Sequence, residues 1–317
     1  MLRSFSFSAI ILLIIFTLRV INLDKQYKLG VFYGLSAYLI WGVLPIYWRQ
    51  IQHVDAMEIL ASRFIWSAVF VFILMLSTGK LKVFVEETKA IFSNWKTSIC
   101  MILAAITISF NWGIFIWAVE VGRIVETSMG YYINPLVSVL FGMVFLREKL
   151  DKLQTIAVAC AAVGIAVIIV KNGSLPWVSV SLAATFAFYG LLKKLIKAQA
   201  LTSIMLETLL ISPLMLYYLY YLGQHGGNVY QSCDNRTLCY LVGAGIATAT
   251  PLLFFTGCAK VLPLYMVGFM QYIAPSITLL IGIFMYGEAF TLTHAVAFGC
   301  IWVGLIFFTT SQLRRIK

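Results

Sequence analysis

Gly130-Tyr131-Tyr132-Ile133-Asn134-Pro135-Leu136 and, 140 residues further on, Met270-Gln271-Tyr272-Ile273-Ala274-Pro275-Ser276 decide how this chain is read. Both copies of Tyr-Ile-Xaa-Pro lie inside apolar runs, 124–146 and 264–286. About 20 apolar residues are enough for a helix to cross about 30 Å of hydrocarbon. Each proline is followed, thirteen residues later, by a glutamate, Glu148 and Glu288. At the same offset Gly164 falls on Gly304, and no gap is needed between 113–170 and 253–310. Earlier in the chain Trp41-Gly42 matches Tyr189-Gly190, and Glu58 approximates Glu207, at offsets of 148 and 149.

Working outward, further apolar runs fall at 30–48, 59–77, 97–119, 153–170, 176–192, 203–222, 238–259 and 291–310. With the first two they make ten spans. The composition agrees: 62% of the 317 residues are apolar, 11% are charged, and mean hydropathy is +0.94. Soluble domains carry roughly 25% charged residues. The expectation is an all-α polytopic membrane protein of ten transmembrane helices. The internal match divides it into two repeats, 29–172 and 173–313, with a basic tail at 314–317. Each repeat holds five spans, and an odd number makes the second enter from the opposite side, so the repeats are inverted.

Basic residues orient the chain. Arg19, Lys25, Lys28, Lys80, Lys82, Lys89, Lys96, Arg147, Lys149, Lys152, Lys193, Lys194, Lys197, Lys260, Arg314, Arg315 and Lys317 fall on one side. Only Arg49, Arg123, Lys171 and Arg236 fall on the other. Seventeen against four predicts that the first side, with both ends of the ten-helix core, is cytoplasmic. The net charge of +11 is spread over short loops. No compact basic face exists to meet phosphates, so nucleic acid is excluded as a partner.

Residues 5–18 are apolar but too short for a comfortable span. They lack the features of a cleaved signal peptide, which would also put Lys25 and Lys28 outside. Residues 1–28 are read as an N-terminal extension from an upstream-assigned start site, with a short eleventh span as the alternative. Cys233 and Cys239 flank a polar loop on the non-cytoplasmic side, where an oxidising compartment would permit a disulfide.

Charged groups within spans are costly, roughly 2.5–3.5 kcal/mol each, and usually face the bundle interior. Arg63 lies about five residues, roughly 7 Å, below the external start of its span. Glu126 enters its span from the same side, so the two either pair in an outer vestibule or reach the interface separately. Asn111, Trp112, Tyr131, Tyr132 and Asn134 sit near mid-depth, and Gln271 and Tyr272 echo them in the second repeat. With Trp41 they are the candidate lining of a substrate cavity; helix–helix hydrogen bonding is the competing reading. Pro135 and Pro275 are candidate helix breaks, and Glu148 and Glu288, at span ends, candidate gating groups. Metal-binding, nucleophile-elbow and phosphate-loop motifs are absent, so no cofactor and no enzyme activity are expected. Without an ATP-binding module, transport is passive or coupled to a proton or a counter-substrate.

Several stretches together resemble the RarD family, in the EamA branch of the drug/metabolite transporter superfamily. They are Ala37-Tyr38-Leu39-Ile40-Trp41-Gly42 with Pro45, Arg63-Phe64-Ile65-Trp66-Ser67, Asn111-Trp112, residues 130–136, Ala187-Phe188-Tyr189-Gly190 and residues 268–275. The resemblance covers about residues 28–312. It implies two inverted five-helix halves around a central cavity, in a bacterial inner membrane, with a small metabolite or drug as substrate and the lipid bilayer as surroundings. A homodimer is an open assembly, and a non-transporting sensor or scaffold, or less so a membrane enzyme, is the alternative function.

Overall fold

The computed structural model describes residues 25–120, 124–173, 177–286 and 292–315. Within them the helices are α1 (Lys25–Trp48), α2 (Ala56–Ser77), α3 (Leu81–Ser93), α4 (Trp95–Glu120), α5 (Ile124–Leu146), α6 (Lys152–Asn172) and α7 (Trp177–Leu195). They continue with α8 (Ala200–Gln224), α9 (Val229–Ser232), α10 (Asn235–Val261), α11 (Leu264–Met270), α12 (Ile273–Tyr286) and α13 (Leu292–Arg315). Eight helical stretches are long and apolar enough to cross a membrane. Two shorter apolar helices, Gly130–Leu146 and Ala295–Ser311, occupy the remaining two expected spans. The extension, or eleventh span, lies outside the described residues except for 25–28, which already belong to α1.

Local chemistry sets the helix ends. Asp55 accepts from the backbone N–H of Met57 and Glu58 at 2.9 and 3.2 Å and starts α2. Asp151 and Gln154 form a reciprocal capping box at the start of α6. Asp234 accepts from Thr237 N at 3.1 Å ahead of α10. The Thr237 hydroxyl, and after it this backbone bond, hold the Asp234 carboxyl below its ordinary range. Such caps satisfy amide groups that have no partner within the helix.

The two long connections are not plain loops. Residues 78–96 contain α3, an amphipathic helix that places Glu87 against the start of α8. The 223–237 connection contains the single turn α9.

The ninth span is interrupted at Gln271–Tyr272, between α11 and α12. Pro275 has no N–H to return to the Gln271 carbonyl, which favours a break here. Its counterpart Pro135 leaves α5 continuous.

Helix pairing is reciprocal between the halves. α1 packs on α10 as α7 packs on α4; α2 on α10 as α8 on α4; and α1 on α12 as α7 on α5. Like pairs with like in α2–α8, α5–α11 and α6–α13. This is the pattern of a two-fold axis, and the fold is two inverted five-helix repeats. It holds at atomic detail between α6 and α13. A Cβ on Gly164 would lie 2.7 Å from the Ala297 carbonyl, and one on Gly304 would lie 2.8 Å from that of Ala157. All four residues obey the 140 offset.

Exchanging an unstrained helical glycine for alanine ordinarily stabilises by about 0.4–1 kcal/mol. At Gly164 and Gly304 the added methyl must push two backbones apart, at a cost of about 1–3 kcal/mol. Gly164→Ala and Gly304→Ala are expected to lower the thermal midpoint of the detergent-solubilised protein by similar amounts. Gly299→Ala, where a Cβ meets nothing within 4 Å, is expected to leave it unchanged or raise it. Unequal losses at the first two positions would contradict the symmetry of this contact.

Candidate functional site

Arg63 points from α2 towards aromatic rings. Because α2 begins at Ala56, it lies seven residues into the helix, about 10 Å along the axis. Its guanidinium carbon is 4.1 Å from the Trp112 ring centroid and 5.1 Å from that of Trp48. Nε donates to Thr248 Oγ1 of α10 at 3.0 Å. Tyr131 of α5 is within electrostatic reach, and its ring meets Phe115 at 6.0 Å while remaining half exposed. Among the described residues no carboxylate pairs with Arg63. The Glu126 side chain lies outside them, so the expected Arg63–Glu126 pair finds no support here. Stacking on indole faces compensates part of the lost hydration of the guanidinium.

The remaining mid-depth candidates divide. Asn111 is buried and donates to the Leu182 carbonyl and to Thr185 Oγ1, both at 2.8 Å, tying α4 to α7. That is a helix–helix link. Gln271 Nε2 donates to Ser138 Oγ at 3.1 Å, and Ser138 in turn reaches Asn134 Oδ1 at 3.5 Å, across the α5–α11 crossing. Gln271 Oε1 and the Tyr272 hydroxyl are buried with no hydrogen-bond partner among the described residues. Trp41 packs on Tyr38, Phe186 and Phe255, and Tyr132 is half buried against the core. Trp112 and Tyr131 thus gather around Arg63 and Asn134 and Gln271 at the α5–α11 crossing, whereas Asn111 joins α4 to α7 and Trp41 belongs to an aromatic cluster with Tyr38, Phe186 and Phe255.

The end of the bundle that carries Lys193 and Lys260 holds a polar cluster outside the expected cavity set. Lys193 and Glu207 form a buried pair at 2.5 Å, joined by Tyr189 and Ser203. Beside it, Glu148 accepts from Leu264 N at 2.7 Å and Tyr265 N at 2.9 Å, capping α11 with both carboxylate oxygens. Lys194 lies 3.7 Å from Glu148 and donates to the Leu262 carbonyl at 2.5 Å. The backbone places Glu148 for this. Arg147 takes a left-handed φ of 55°, and Glu148 N returns to the Gly142 carbonyl at 3.1 Å, closing α5. A side chain at position 142 would collide with the Glu148 carboxylate.

The opposite end is joined by neutral donors. Glu58 accepts from Val229 N at 2.8 Å, Ser62 and Trp66 Nε1 meet the Tyr230 hydroxyl, and Tyr47 donates to the Tyr240 carbonyl. A polar recess of about 460 Å³ lies over this end. Its carboxylates Asp55, Glu58 and Asp234 are already engaged with backbone N–H groups. Cys233 and Cys239 are separate thiols rather than a disulfide. Cys233 closes α9 and packs with the Ile51 cluster, while Cys239 is exposed on the first turns of α10.

Sequence reading gave Arg63 and Glu148 prominence but passed over Lys193, Lys194, Glu207, Trp48 and Thr248. A signal existed for Glu207, a carboxylate inside an apolar run, noted only as the repeat partner of Glu58. Lys193 and Lys194, at a span end, entered only the charge tally. Glu288 lies outside the described residues.

Residues 28–170 match the EamA-like transporter family. A transporter of Bacillus subtilis (strain 168) named YojE is 44% identical to this chain over 90% of it and 95% of the relative. An uncharacterised transporter of Vibrio cholerae is 40% identical over 92% and 95%. The protein RarD of Escherichia coli (strain K12) is 38% identical over 91% and 96%. One solved crystal structure, 16% identical, aligns with a TM-score of 0.68 over 91% of this chain and 98% of its own, a likeness of fold. With relatives this similar over nearly their whole length, the chain belongs to the RarD-type members of the EamA-like transporter family.

Proposed function

We propose that this protein is a secondary transporter that moves a small organic anion or zwitterion, a metabolite or a drug, across the bacterial inner membrane by alternating access. The observation that carries the proposal is Arg63. It is a cation at membrane depth, stacked on Trp112 and Trp48, with Thr248 as its hydrogen-bond acceptor and no carboxylate partner among the described residues. A carboxylate or phosphate on the substrate would complete its coordination through the terminal guanidinium nitrogens. The half-exposed Tyr131 and the faces of Trp112 and Phe115 offer apolar surface to the rest of the molecule.

The distribution of basic residues supports a cytoplasmic Lys193 end and core termini in the cytoplasm. In this conformation that end is joined by Glu148, Lys194 and the α10–α11 connection. Releasing it while the Arg63 side closes would pass the substrate from one face to the other. The repeats, taken as 29–172 and 173–313, supply the two bodies that rock. Pro135, Pro275 and the Gln271–Tyr272 break are the bending points, with Glu148 and its repeat partner Glu288 as latches. The Asn134, Gln271 and Tyr272 cluster contributes neutral hydrogen bonds to the cavity. Energy comes from a substrate or ion gradient, since the chain has no nucleotide-binding motif.

The test is uptake into proteoliposomes, screening organic acids, amino acids and drugs with and without a proton gradient. Anionic or zwitterionic compounds are expected to be moved. Arg63→Ala should weaken apparent affinity by about 30-fold or more, equivalent to at least about 2 kcal/mol for an unpaired buried charge on the substrate. Arg63→Lys should fall between, because it keeps the charge but loses the planar stack. Transport of neutral compounds alone, or an Arg63→Ala protein with unaltered affinity, would overturn the assignment. In the same assay, Tyr131→Ala is expected to change substrate preference. Asn111→Ala is expected to act chiefly on stability, by about 1 kcal/mol, through the lost α4–α7 bonds.

A further inference from the structure

Helix α3 (Leu81–Ser93) lies at a membrane surface. It connects α2 and α4, both long and apolar enough to cross a membrane, so Ser77 and Trp95 meet the same face of the bilayer. Hydrogen bonds build both corners. Gly79, at a left-handed φ of 64°, donates to the Leu76 carbonyl at 3.2 Å, and Lys80 N donates to that of Met75 at 2.9 Å, ending α2. Beyond Asn94, the Thr97 and Ser98 hydroxyls turn back to the Ile91 carbonyl at 2.7 and 3.0 Å. About 20 Å of helix is thereby set between two sharp turns. Its inner side is engaged. Leu81, Phe84 and Ile91 pack on the core, and Glu87 accepts Gln199 N of the α8 start with both oxygens at 3.0 Å.

The outer side carries two parallel lines. Val85 and Phe92, seven residues apart, are 48% and 46% exposed. Lys82 and Lys89, also seven apart and exposed, lie about 60° further round at 3.6 residues per turn. Lys96 joins them just past the corner, its ammonium 5.8 Å from the ring centroid of Trp95, which is 68% exposed. Among the described residues no carboxylate pairs with these three lysines. Exposed Glu86 lies on the far side of the lysine line from the apolar one, and Glu87 is taken up by α8.

We propose that this face of α3 binds anionic lipid. Val85, Phe92 and Trp95 rest at the boundary between acyl chains and headgroups. Lys82, Lys89 and Lys96 meet the phosphates of lipids with a net negative charge, of the phosphatidylglycerol type. Interfacial helices bind by this pairing of apolar area with basic side chains. Tryptophan favours that depth, and a lysine reaches the headgroups on its apolar stem. A zwitterionic headgroup also has a phosphate, but its own ammonium already balances the charge. Since Glu87 ties α3 to α8, the lipid contact bears on an element that joins the two repeats. Lipid binding here is independent of what the protein moves.

The test is titration of the detergent-solubilised protein with phosphatidylglycerol and phosphatidylcholine of identical acyl chains, with bound lipid read by native mass spectrometry. Phosphatidylglycerol is expected to bind at least about tenfold more tightly. The triple variant Lys82→Gln/Lys89→Gln/Lys96→Gln should lose at least about tenfold of that affinity and hold phosphatidylcholine within about twofold of the native protein. Lys149→Gln/Lys152→Gln/Lys197→Gln removes the same charge from exposed lysines elsewhere at this end and should change neither lipid by more than about twofold. Glycerol phosphate, which has the headgroup charge without acyl chains, should not displace the lipid. Equal binding of the two lipids by the native protein, or equal losses in the two triple variants, would overturn the proposal. So would equal loss of both lipids in the α3 variant, or displacement by glycerol phosphate, which would reveal a site for soluble anions instead.

Discussion

A backbone amide or carbonyl at hydrocarbon depth has no water to turn to, and every feature of this bundle answers that constraint. Helices satisfy most of the main chain internally. What remains are the helix ends and breaks, and side chains meet them. Glu148 is the clearest instance. It sits one residue beyond a left-handed turn at Arg147 and spends both carboxylate oxygens on the first amides of α11. A carboxylate from one repeat thereby starts a helix of the other. The same groups draw in Lys194, whose ammonium reaches the Leu262 carbonyl just before that helix. Backbone satisfaction and the joining of two halves are here one set of bonds.

The repeat makes the contrast between the two ends informative. Backbone packing follows the symmetry closely, down to Gly164 on Ala297 and Gly304 on Ala157. Side-chain chemistry does not. One end is joined by ammonium–carboxylate contacts, the other by tyrosine, serine and tryptophan donors around Tyr230 and Tyr240. Lys194–Glu148 is the ion pair that crosses between the halves, while Lys193–Glu207 lies within the second. Two halves that pack alike are thus fastened by different chemistry at the two ends.

The fold was legible because its signals are periodic and long. Ten apolar runs and a gapless 140-residue offset need no knowledge of contacts, and the pairing of the helices realises both. The break at Gln271–Tyr272 was announced by Pro275, yet Pro135 in an equivalent position bends nothing into two pieces, so packing decides which proline breaks its helix. The site was legible only in part. Arg63 stood out because a charge in an apolar run is rare. Asn111 looked like a cavity residue, but its amide is bound to Leu182 and Thr185, and polarity at depth alone does not separate a ligand contact from a helix clasp. Lys193 escaped notice because a lysine at a span end normally reaches water. Nothing in its neighbours along the chain says that α8 brings Glu207 beside it.

Arg63 and Lys193 are both cations within the bundle, and the difference between them separates their roles. Lys193 is matched in charge by Glu207 and also donates to Ser203, so its charge is already balanced within the protein. Arg63 has aromatic faces and one threonine. Indole rings ease the loss of water without neutralising the charge. Among the described residues no carboxylate neutralises it, and the proposed reading gives that part to an anionic group on the substrate, which can bind and be released where a permanent carboxylate would compete with it.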